Sequence, residues 1–144
     1  KSLSYGSPAE AAEAAAVALA AGDTAKAIPA FEAASASTDP REKADALSGL
    51  YQALLNDART EEALAVVGRL ATECRGTLTA QNWNNLATAA INRKNVAVAS
   101  AVVNKALELF PEQKATFVKA VGAVDLLTSK GPGADLSALG YTGD

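Results

Sequence analysis

The sequence predicts an all-α fold, a superhelix of three helical hairpins closed by a capping helix. Three observations predict it. Apolar and small residues recur every 36 residues in three copies. Within each copy they step by three and four, the spacing of one helix face. Alanine, the strongest helix former, supplies 35 of the 144 residues, and no segment sustains period-two alternation.

The repeat is read from columns. Ala11, Leu47 and Trp83 correspond, as do Ala14, Leu50 and Leu86, and Ala18, Leu54 and Ala90. In the second half of the unit, Ala27, Ala63 and Ala99 align, then Phe31, Val67 and Val103, then Ala34, Leu70 and Ala106. One hairpin cannot bury both of its apolar faces, so neighbouring copies are expected to stack and the ends to be covered. Trp83 is expected to fill core space, and Ala27, Ala63 and Ala99 to let paired helices approach closely.

Each element has its own signals. Ser7-Pro8-Ala9-Glu10 reads as a capping box with proline at the first helical position and opens a helix over 8–21. Gly22-Asp23-Thr24 breaks it, with Thr24 as the expected N-cap of a helix over 24–37, and Pro29 inside that helix is expected to bend it. Asp39-Pro40-Arg41-Glu42 opens 40–57, and Asn56-Asp57-Ala58-Arg59-Thr60 separates it from 60–74. Glu61 and Glu62 suit that helix N-terminus. The third pair spans 79–93 and 95–109, broken at Arg93-Lys94-Asn95. Pro111 starts a seventh helix to about Ser129, with Phe117, Val121, Val124 and Leu127 on one face. Residues 130–144 hold four glycines and a proline and read as non-helical. The organisation is an N-terminal arm over 1–7, a helical domain over 8–129 and a C-terminal tail over 130–144.

Composition removes several classes of chemistry. There is no histidine, so histidine acid–base catalysis and histidine metal ligation are excluded. The one cysteine, Cys74, permits no internal disulfide and is expected to be an inert thiol at a helix end. A net charge of −3 gives no basic patch for nucleic acid and no strong steering field. The longest apolar run, 14–21, is far shorter than the ~20 residues that span a bilayer. No nucleophile–base spacing appears, so the sequence points away from an enzyme and implies no cofactor, metal or small-molecule substrate. With no methionine in the chain, Lys1 is not read as a translation start. Loss of an organellar or secretory leader is one expectation, with an organellar lumen, the periplasm or secretion from the cell as the corresponding place for a soluble processed chain.

The third copy resembles the tetratricopeptide repeat family. Trp83, Leu86, Ala87 and Ala90 match that family's first-helix positions, and Ala99, Ala106 and Pro111 match its second helix and closing proline. The stretch from Lys105 to Pro111 is similar to the family's usual repeat end. The first copy matches at Gly22, Ala27, Phe31 and Ala34, with Pro40 one place late. The second matches at Leu47, Leu50, Leu54 and Ala63, with Ala58 where glycine is usual. Ala11 stands where a bulky residue is usual, so the first helix is expected to pack weakly. The resemblance spans about residues 8–129 and implies a right-handed α-solenoid of three antiparallel hairpins with a concave face built by the first helix of each pair.

Exposed first-helix residues line that face in the family. Here they correspond to Asp45, Ser48, Gln52, Leu55 and Asn56 in the second copy. In the third they are Gln81, Asn84, Thr88, Ile91 and Asn92, with Asn85 beside them. The first copy offers Ala12, Ala16 and Ala20. The face is neutral and rich in amides, which both donate to and accept from a peptide backbone. Family members that hold the acidic tails of chaperones use a basic clamp, and no lysine or arginine stands at the matching places. In the tail, Leu136, Leu139 and Tyr141 are candidate anchors, against the chain's own surface or a partner.

Two functions follow as expectations. One is a non-enzymatic interaction or scaffold module that binds a protein segment through its concave face or ends. The other is an accessory subunit of a larger, membrane-associated or organellar assembly, contacting it through its termini.

Overall fold

The structure, a computed structural model, describes residues 5–141; residues 1–4 of the arm and 142–144 of the tail, and any contact expected through them, lie outside these. Among the described residues the chain forms α1 (Pro8–Ala20), α2 (Thr24–Ala34), α3 (Pro40–Asn56), α4 (Thr60–Glu73), α5 (Ala80–Asn92), α6 (Val96–Leu109) and α7 (Val118–Lys130). Two 3-10 segments, Pro111–Phe117 and Ser137–Leu139, complete it, and no strand occurs among these residues. No helix of the described residues is long and apolar enough to cross a membrane.

Packing divides the chain into two compact units, Lys1–Thr77 and Leu78–Asp144. In the first, α1 packs on α2, α2 on α3 and α3 on α4, and α1 also meets α3. In the second, α5 packs on α6, and both meet α7 and the 3-10 segment before it.

The 36-residue columns are the core. Every column residue named above is buried except Ala14. Two further columns, Ala15/Tyr51/Ala87 and Ala30/Val66/Val102, are buried as well. Large members such as Leu47, Leu50 and Leu70 are fully enclosed, each worth about 1.5–3 kcal/mol of burial. Trp83 is a core residue at 2 % exposure. The weak packing expected of α1 is not found. Ala11 and Ala15 are 0 % exposed, because small residues on α1 and α2 let the two helices press together.

The turns repeat as faithfully as the core. Gly22, Ala58 and Lys94, each 36 residues apart, all take positive φ, at 77°, 58° and 59°. Each turn closes with the same two backbone bonds. In the second, Ala58 donates to the Leu55 carbonyl and Arg59 to the Leu54 carbonyl; in the third, Lys94 donates to Ile91 and Asn95 to Ala90.

Four local expectations are corrected. The N-cap of α2 is Asp23, not Thr24; its carboxylate accepts from the Lys26 amide at 3.2 Å. That helix runs through Pro29 and stops at Ala34 rather than residue 37. There Ser35 donates to the Glu32 carbonyl, and Ser37 accepts from the Asp39 amide, side-chain bonds that compete with further helix. The seventh helix is split: a 3-10 segment, Pro111–Phe117, itself kinked at Gln113 (φ −124°, ψ 36°), precedes α7, which starts only at Val118. Within the tail, Ser137–Leu139 forms a 3-10 turn, its first amide held by the Asp135 carboxylate at 3.0 Å.

Candidate functional site

In the second unit α5 sets the site. Thr79 and Asn82 close a reciprocal capping box, which fixes the start of the helix. From that start Gln81, Asn84, Thr88 and Asn92 follow at steps of three and four, with Asn85 four residues after Gln81. Gln81 donates to the Asn85 side chain at 3.1 Å on the exposed surface, and the Thr88 hydroxyl donates to the Asn84 carbonyl at 3.0 Å. The Asn92 Oδ1 is buried and has no hydrogen-bond partner. An unmet buried acceptor costs about 1–3 kcal/mol, so Asn92 is an amide of this face with unused accepting capacity.

The tail reaches the same helix. Tyr141 is half-buried; burial raises its phenol pKa and the nearby Thr88 side chain partly offsets the rise. The Lys94 ammonium donates to the carbonyls of Pro132 (3.2 Å) and Ala134 (3.3 Å). Ala134 and Leu136 are buried, and the Leu139 side chain lies beside Gly122 of α7. Thus Leu136, Leu139 and Tyr141 are engaged within the chain's own second unit, the first of them completely.

In the first unit, Gln52 donates to the Asn56 side chain at 2.9 Å, a half-buried pair on the last turn of α3. Ala12, Ala16 and Asp45 line a groove of about 320 Å³ with Phe31 and Ala46. Leu55 and Ile91, expected to line the concave face, are core residues at 4 % and 0 % exposure. The family resemblance assigned both to the exposed face, but each follows a buried column residue, Leu54 or Ala90, and turns inward with it.

A second groove was not foreseen. About 1130 Å³ of open space lies along α1 and the start of α2, bordered by Tyr5, Glu10, Glu13, Val17, Asp23 and Lys26. Val17 is 71 % exposed there. The 36-residue step was the available signal: Ala14 and Val17 correspond to Leu50 and Ala53, both 0 % exposed.

Elsewhere the charges are structural. Arg69 on α4 bonds Glu73 at 2.9 Å and reaches Glu32 at 3.5 Å, and Lys43 on α3 meets Glu73 at 3.2 Å. The Arg69 bond, then Lys43, holds the Glu73 carboxyl below its ordinary range. Cys74 is buried, and burial, with the Glu73 charge, raises its thiol pKa, so the reactive thiolate is disfavoured. Among the described residues no three acidic or cysteine side chains gather as a metal site.

Comparison with family models, characterised proteins and solved structures gave no match to this chain.

Proposed function

We propose that this protein is a non-enzymatic interaction module of the tetratricopeptide kind, three antiparallel hairpins in a right-handed solenoid with α7 as the cap. The observation that carries the reading is the repetition itself. Buried columns and left-handed turn residues recur at 36-residue steps through all three helix pairs. Repeats of this sort present helix faces rather than an enclosed chemical site. The face offered by α5 is amide-lined and uncharged, which suits the backbone of a protein segment more than a charged ligand. The burial of Leu136 favours this reading over attachment to an assembly through the tail.

The test is the mass of the particle that carries the endogenous protein after gentle isolation. A particle heavier than the free protein, dispersed by Asn85→Arg with the fold unchanged, supports binding through α5. A heavy particle indifferent to Asn85→Arg and lost on truncating the tail would favour the accessory-subunit reading. A free monomer under all conditions would overturn the accessory-subunit reading.

A further inference from the structure

We propose that the face of α5 and α7 is a peptide-binding site that the chain fills with its own tail, and that its external ligand is a segment with the same Leu-x-x-Leu-x-Tyr spacing. The proposal rests on the interaction reading above and names its ligand.

The tail is held as a ligand is held. Its backbone hydrogen bonds are local: Leu139 and Tyr141 both donate to the Leu136 carbonyl, and Gly140 donates to Ser137. The attachments to the helices are those that a separate peptide makes. Leu136 enters the core beside the smaller Ala134, Leu139 lies beside Gly122, and Tyr141 is half-buried. Lys94 grips two main-chain carbonyls, a contact indifferent to side-chain identity.

Lys94 is particular to this repeat. The equivalent turn positions are Gly22 and Ala58, neither of which carries a side-chain donor. Lysine at a left-handed position is unfavourable for the backbone, and the clamp on the tail gives that side chain a purpose there. The tail departs at Gly131, with φ 80° and ψ −176°, a conformation open essentially to glycine alone. Nothing lies within 4 Å of where a Cβ would stand, so a side chain at Gly131 acts on the hinge and not on the site. Tethered directly to α7, the tail competes at high effective concentration, and an external segment binds only as the tail lifts.

The probe is a fluorescent synthetic peptide of residues 131–141, with a Leu136→Asp, Leu139→Asp version as control. It is titrated against the full chain. Wild type is expected to bind weakly. Gly131→Val is expected to bind at least tenfold tighter, the control peptide not at all, and Lys94→Ala added to Gly131→Val is expected to abolish the gain. A Gly131→Val chain with native circular dichroism and no gain overturns the proposal. If that variant does not fold, hydrogen exchange in wild type decides. Leu139–Tyr141 amides exchanging well ahead of α5 and α7 support a tail that lifts; exchange only with global unfolding overturns it. Failure here beside an intact Asn85-dependent particle leaves the interaction reading standing through another part of the face.

Discussion

A Cβ added at Gly49 in α3 would run into the ring of Phe31, whereas one added at Gly68 in α4 would meet nothing within 4 Å. Both glycines lie inside helices, where glycine is unfavourable relative to alanine by about 0.5–1 kcal/mol. Gly68→Ala should recover that amount. Gly49→Ala should instead destabilise by about 1–3 kcal/mol, because the ring of Phe31, buried at 7 % exposure, must leave its packed position to admit the methyl group. Urea midpoints at unchanged slope measure both. A higher midpoint for Gly49→Ala would mean that Phe31 does not press on α3. Sequence reading treats the two alike, since a helical glycine declares its local weakness but not what occupies the space beside it.

The three left-handed turns are the element that the sequence announced best and explained least. Gly22 declares its turn outright, and the polar clusters at 56–60 and 93–95 mark the other two. The conformation at Ala58 and Lys94 follows only from the shared hydrogen-bond pattern. Ala58→Gly removes a left-handed penalty of roughly 1–2 kcal/mol and adds unfolded-state entropy worth about 0.5–1 kcal/mol. It should therefore stabilise by about 0.5–1 kcal/mol, read as a rise in the thermal midpoint. No rise would place the strain elsewhere in the turn. Helix ends were less legible where side chains intervene. Ser35 and Ser37 stop α2 early, and Asp23 takes the cap from Thr24, because hydroxyls and carboxylates compete for the same few amides. Pro111 correctly marks a beginning, but of a 3-10 segment that relaxes into α7 only after Phe117.

Across the whole chain, burial was legible and occupancy was not. Periodicity finds the columns because each copy repeats them, yet the tail's seat beside Thr88 and Lys94 involves residues that no period connects. Titration is a property of this same scale. Glu73 and Glu62 are held below their ordinary range by Arg69 and Arg59. Their stabilisation is present above the unfolded carboxylate value, about 4.3, and is lost as pH falls. Both are close to the surface, so this acid limb should be shallow and flatten further in salt. Burial raises Cys74, Tyr51 and Tyr141. Each stays neutral in the fold while ionising in the unfolded chain, so stability is full below the unfolded values, about 8.5 for the thiol and 10 for the phenols, and falls as pH rises past them. With no histidine in the chain, no side chain has its ordinary value between these limbs. Unfolding free energy should thus be level between about pH 6 and 8 and decline in steps above. Cys74→Ala should delete the first alkaline step while leaving the decline near pH 10, at the cost of a small cavity seen equally at every pH. Denaturant titrations across the range test this. A wild-type decline that starts below pH 8, or one that Cys74→Ala leaves unchanged, would show that the buried thiol does not govern the alkaline limb.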